Sequence, residues 1–167
     1  MKKTVIIYGS STGTCQNIAE TIAAKLGIGT DNLFDASGIK AEKVNEYDNL
    51  LLGTSTWGDG ELQDDWYDGL KVLKASNLQG KTVALFGCGD SDSYSDTFCE
   101  GIADLYDELK NSGCQFIGQV SSEGYSFSSS RSVVDGKFVG LALDDVNESD
   151  KTEGRINSWI ENIKDAL

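Results

Sequence analysis

Apolar positions along this chain follow two rhythms. Short unbroken runs predict buried strands: Thr4 to Tyr8, a weaker one at Asp31 to Phe34, Leu50 to Leu52, and Thr82 to Phe86. Between them, apolar residues recur at helical spacing. Cys15, Ile18, Ala19, Ile22, Ala23 and Leu26 mark one helix, Ala41 to Asn45 a short one, and Trp66, Leu70 and Leu73 another. The clearest stripe in the middle of the chain is Phe98, Ile102, Leu105 and Leu109. A strand then begins at Phe116-Ile117-Gly118, breaks into a Ser-rich stretch from Ser121 to Ser132, and resumes at Phe138 to Leu143. Ile156, Trp159, Ile160, Ile163 and Leu167 give the final helix.

Strands alternating with helices imply a parallel sheet covered on both faces. Right-handed crossovers place the helices on two sides. The expected fold is therefore α/β: a doubly wound, three-layer sheet whose last strand is interrupted. With no internal repeat or linker, residues 1–167 are expected to form one domain. Ligands of open parallel sheets sit beyond the carboxyl ends of the strands. Three loops of unusual composition leave those ends.

The first is Gly9-Ser10-Ser11-Thr12-Gly13-Thr14, between strand and helix. Its hydroxyls and the amides of a helix start make a seat for an anion, with a capped turn as the alternative. It has no lysine, so it is not a nucleotide P-loop. The second, Thr54 to Glu61, places Trp57 among small polar residues, as a flat face for an aromatic ligand or as an exposed ring in a Gly-rich turn. The third, Gly87 to Tyr94, adds a second aromatic; Asp90 in it either accepts from a ligand imide or caps the turn. Together the three describe a slot for a phosphorylated planar heterocycle.

Composition removes several classes of chemistry. The chain has no histidine, and Cys15, Cys88, Cys99 and Cys114 form no C-x-x-C pair, which argues against zinc and iron–sulfur centres. Acidic residues number 27 against 14 basic, a net charge of -13 that repels nucleic acid and anionic membranes. Val5-Ile6-Ile7 is too short for a secretory core, and no segment has the apolar length of a membrane span, so a cytoplasmic protein is expected.

Gly-Ser-Ser-Thr-Gly-Thr, Thr-Trp-Gly-Asp-Gly-Glu-Leu, and Phe-Gly-Cys-Gly-Asp followed by Tyr94 resemble the phosphate loop and the two flavin loops of flavodoxins. Glu123-Gly124-Tyr125, and the stretch from Val134 to Asp144, resemble the inserted segment of the long-chain subgroup. The resemblance spans essentially the whole chain. It implies five strands in the order 2-1-3-4-5 and a carrier that holds flavin mononucleotide (FMN) without a covalent bond. Such a carrier passes electrons singly at low potential between larger redox proteins. It further implies that Ser10, Ser11, Thr12, Gly13, Thr14 and Cys15 surround the phosphate, and that Trp57 and Tyr94 stack on opposite faces of the ring. The other flavin contacts it implies are Thr56, Gly58, Asp59 and Gly60 in the second loop, and Cys88, Gly89, Asp90 and Thr97 in the third.

Some positions depart from the family pattern. Thr14-Cys15 stands where Asn-Thr is usual, Thr97 precedes Phe98 where many relatives have Asn, and Val146 follows Asp144-Asp145 where a third acid is frequent. Within this picture the Gly58-Asp59 peptide can turn toward the ring at low cost. Asp59, Glu61, Asp64, Asp65 and Asp90 disfavour added negative charge there. The acidic surface favours redox partners with basic docking faces, and a carrier acting as a monomer keeps its flavin edge free. Two other classes share part of this pattern. A flavin-dependent reductase using a nicotinamide nucleotide directly lacks a G-x-G-x-x-G after any strand. A response-regulator-like signalling domain needs acids where Ser10-Ser11 and Gly53-Thr54 stand.

Overall fold

Residues 1–167 are described by a computed structural model, in which strands and helices alternate as the apolar rhythm predicts. The strands β1 (Thr4–Gly9), β2 (Leu33–Asp35), β3 (Asn49–Trp57) and β5 (Thr82–Cys88) are mutually parallel, in the order β2-β1-β3-β5. A short β4 (Glu61–Leu62) folds back antiparallel on the end of β3. The fifth place in the sheet is shared. Strand β6 (Gln115–Ile117) pairs with Thr82 to Ala84 at one end of β5, and β10 (Leu141–Leu143) pairs with Phe86 to Cys88 at the other. This is the 2-1-3-4-5 order, with the last strand cut in two.

Alternate residues of each strand face opposite layers, which is why the strands read as unbroken apolar runs. Val5, Ile7, Leu50, Leu52, Val83 and Leu85 pack with α3 (Asp65–Ala75) and α4 (Gly101–Leu109). Ile6, Leu51, Ala84 and Phe86 pack with α1 (Thr14–Leu26) and α5 (Ser149–Ile163). A one-turn α2 (Ala41–Val44) adds Val44 to the first of these cores.

The insertion between the halves of the fifth strand builds a small antiparallel sheet of its own. It comprises β7 (Val120–Ser121), β8 (Val133–Val134) and β9 (Lys137–Phe138) in the order β7-β9-β8. Phe138 therefore belongs to this sheet and not to the resumed main strand, which is limited to Leu141–Leu143. Tyr125, Phe127 and Phe138 of the insertion close around Phe98 at ring-centroid distances of 6.2, 5.4 and 5.9 Å.

Phe98 also departs from its predicted place. Its spacing continues the α4 stripe, yet the helix starts only at Gly101, because Cys99 takes a left-handed backbone (φ 52°) that a helix cannot include. The weak second strand also lies later than its pattern suggests. Thr30–Asn32 form a turn of 3-10 helix, and pairing begins at Leu33.

Candidate functional site

The carboxyl ends of β1, β3, β5 and β10 open into a cleft of about 210 Å³. Of the residues singled out in the sequence, Thr12 and Thr14 line it from the first loop, and Thr56, Trp57 and Gly58 from the second. Cys88, Gly89, Asp90, Tyr94 and Thr97 line it from the third. Ser10, Ser11, Gly13, Cys15, Asp59 and Gly60 are not part of that lining. Ser55, Cys99, Asp145 and Val146 complete the wall.

At the first loop the chain leaves β1 and enters α1 through Gly13, in a left-handed conformation and without a side chain to cap the helix. The first turn also contains no acidic residue. Its amides thus keep unspent donor capacity, concentrated where the helix dipole is positive. Ser10 Oγ accepts from Gly13 N–H (3.1 Å) and so closes the loop. Ser11 Oγ accepts from Nε2 of the buried Gln63 (3.1 Å), which ties the loop to the start of α3. The Cys15 side chain is fully buried and turned into the core, where a hydrogen bond to Cys88 and then desolvation raise its pKa well above the ordinary thiol value. Only its backbone N–H remains for the loop.

The second loop is the β3–β4 hairpin, paired at Thr56 with Leu62 and at Trp57 with Glu61. The indole is 41% exposed, and its Nε1–H donates to Ser55 Oγ (2.7 Å), which fixes the ring's orientation. Thr56 Oγ1 accepts from Gly101 N–H (3.0 Å), joining the hairpin to the start of α4. Asp59 is exposed at the turn.

In the third loop Asp90 is a turn cap. Its Oδ1 accepts from Ser93 N–H (3.0 Å), Asp92 N–H (3.2 Å) and Asn147 Nδ2 (2.8 Å). These bonds, that from the Ser93 amide first, lower its pKa. Ser91 hydroxyl bonds the fully buried Asp144, whose Oδ1 also accepts from Asn147 N–H (3.1 Å). Tyr94, 54% exposed, rises from this anchored turn. Large aromatics left open across a cleft, with no basic side chain in its lining, suit a flat ligand whose anionic end is met by neutral donors.

Such an arrangement, at the carboxyl ends of a 2-1-3-4-5 sheet, defines a doubly wound α/β protein with a ligand site at its topological switch point. The sequence model of the flavodoxin family matches residues 6–159. The flavodoxin of Buchnera aphidicola is 41% identical across 98% of this chain and 96% of its own length. That of Helicobacter pylori is 40% identical, covering 98% of each chain. In three dimensions the chain is similar to Fusobacterium nucleatum flavodoxin, a crystal structure bound to FMN, with a TM-score of 0.90 at 34% identity over 100% of this chain and 99% of that one. The chain belongs to the flavodoxin family, whose members transfer electrons and do not turn over a substrate of their own.

The residues that sequence reading missed had little signal. Ser55 lies in the second loop but is one small hydroxyl residue among several, and Cys99 lies within an apparent helical stripe. Asp145 and Val146, noted in the sequence only as a departure from the family pattern, form a fourth loop between β10 and α5 that reaches the cleft.

Proposed function

We propose that this chain is a single-domain, long-chain flavodoxin that holds FMN non-covalently in the cleft and shuttles electrons between redox proteins. The observation that carries the reading is an uncapped, acid-free helix start opening into the same cleft as two exposed aromatic rings. The insertion that divides the fifth strand supports the subgroup.

The phosphate fits the first loop. Hydroxyls of Ser10, Ser11, Thr12 and Thr14, with the amides of Thr14 and Cys15, satisfy its oxygens without a countercharge from lysine or arginine, while Gly13, its N–H held by Ser10 Oγ, makes the turn. The ring lies between Trp57 and Tyr94. Thr56, Gly58, Asp59 and Gly60 on one side, and Cys88, Gly89, Asp90 and Thr97 on the other, frame its edge. When bound, FMN supplies a ring that accepts and releases electrons one at a time. The chain decides at what potential it does so. Asp59, Glu61, Asp64, Asp65 and Asp90 disfavour added negative charge near the ring, and aromatic walls exclude the water that would screen it.

A net charge of -13 favours partners with basic docking faces. It disfavours nucleic acid and anionic membranes, and no helix is long and apolar enough to cross a bilayer. The protein acts as a monomer in the cytoplasm, with its flavin edge open to each partner in turn.

Absorbance of the purified protein tests the reading. It should be yellow, or should take up one equivalent of FMN when offered it. Mixing the loaded protein with NADPH should leave it oxidised until a separate reductase is added. A colourless protein that takes up no FMN from excess ends the proposal; rapid reduction by NADPH alone makes it a reductase instead.

A further inference from the structure

Residues 128–132 of the insertion run beside residues 95–100, which lead from the Tyr94 turn into α4. Ser128 N–H donates to Ser95 O (2.9 Å), Ser129 Oγ to Asp96 O (2.8 Å) and Ser132 Oγ to Cys99 O (2.7 Å). Arg131, held in this register, reaches across to the second loop. Its backbone N–H donates to Glu100 Oε2 (2.8 Å) and its Nε–H to Glu100 Oε1 (3.2 Å). Its Nη2 donates both to Asp104 Oδ1 (3.0 Å) and to the Gly60 carbonyl (3.3 Å).

The geometry points to Arg131, acting through Glu100, as a positioning residue that fixes the Gly58–Gly60 turn and thereby holds Trp57 at the wall of the cleft. The inference rests on the FMN reading above for its functional meaning.

Three features argue for it. First, the Glu100 side chain is 7% exposed, and Arg131 is its cationic partner in the structure. A carboxylate buried to that degree needs a partner, so the pair is held together. Burial opposes the charge on Arg131, but the Asp104 and Glu100 carboxylates outweigh it and raise its pKa. Second, the turn lies directly on that carboxylate. Gly60 has φ +87°, and a Cβ there would come within 2.3 Å of Glu100 Oε1. The guanidinium lies between two groups of the same polarity, the Gly60 carbonyl and the carboxylate. Without it their repulsion favours a shifted turn. Third, the turn itself lies beyond the ladder and beyond the Thr56–Gly101 bond that anchors the base of the hairpin. Its ladder is two residue pairs long, and Trp57 is in the pair nearest the turn, so displacement of the turn is passed to the indole.

Amide hydrogen exchange by NMR, on protein stripped of flavin, tests the inference. Arg131→Gln should speed exchange at Gly58 to Glu61 roughly tenfold, the scale of one lost charge-assisted bond, and leave residues 11–16 at the wild-type rate. Its FMN dissociation constant should rise by a similar factor, and the midpoint potentials should shift with it. Adding Glu100→Gln to Arg131→Gln removes the repelling charge and should recover most of the lost protection. A merely structural contact would instead give additive losses. Unchanged exchange at Gly58 to Glu61, equal acceleration in both loops, or a double variant worse than the single one overturns the inference. Because exchange is read without flavin, a wild-type protein that binds no FMN would sink the functional reading and leave this test standing.

Discussion

At the Ser10–Thr14 end of the cleft Ser10 and Ser11 shape the loop but the amides of the helix start are left open, whereas at the Trp57–Tyr94 end the polar groups are already engaged. The start of α1 carries no cap and no acid, so its donors await a ligand. Across the cleft the indole N–H is taken by Ser55, Asp90 by its own turn and by Asn147, and the Gly60 carbonyl by Arg131. One end binds through unspent hydrogen-bonding capacity. The other binds through the placement of rings that are themselves already fixed. Recognition of the phosphate and recognition of the ring should therefore fail independently.

The largest effect should come from Thr14→Asp, which sets a carboxylate where the phosphate would lie. FMN affinity should fall by roughly 30- to 100-fold, as expected for one close like-charge contact at a partly solvated site. Riboflavin, which lacks the phosphate, should bind as before, and the melting temperature of the flavin-free protein should hold or rise, because an acid suits a helix start. Parallel fluorescence titrations with the two flavins decide it, and an equal loss for both would break the comparison.

Trp57→Ala should act on the ring and not on the phosphate. Losing one stacking face weakens FMN and riboflavin alike, by roughly tenfold. A loss confined to FMN would mean that the indole serves the phosphate and not the ring.

The smallest effect concerns the support behind the ring end. Tyr125 in the insertion donates to the Ala142 carbonyl (2.8 Å) and lies under the Arg155 guanidinium, 3.9 Å from the ring centre. Burial pushes its phenol up to about 12. The folded state thus holds this proton where the unfolded chain, with an ordinary phenol near 10, releases it. The stabilisation is complete below pH 10 and is lost as pH rises toward 12, by about 1 kcal/mol at pH 11. Urea unfolding at pH 9 and pH 11 should show that slope in the wild type and a shallower one in Tyr125→Phe.

Much of this was legible in the chain. Strands buried on both faces leave unbroken apolar runs, and the three cleft loops stood out because small, hydroxyl and aromatic residues cluster where a core-directed sequence would place neither. The exceptions share a cause. Phe98 carries helical spacing but serves the insertion's aromatic cluster, since the left-handed backbone at Cys99 is invisible to periodicity. Phe138 looks continuous with Leu141–Leu143, yet pairs with Val120 and Val133 in another sheet. Cys15 carries both signals, since it adjoins the loop and opens the apolar stripe of α1, and its thiol belongs to the core. The link between Arg131 and Gly60 spans 71 positions, and contacts of that range leave no local pattern.

The division of the fifth strand has a consequence for how these molecules behave in company. Both outer margins of the main sheet are built from three-residue pieces, Leu33–Asp35 on one side and the two fragments beside Thr82–Cys88 on the other. A stray strand from a neighbour would find too few consecutive rungs to zip onto before the backbone turns away. The same cut that gave the chain its insertion thus blunts the sheet against self-adhesion, and leaves crowded copies free to diffuse past one another.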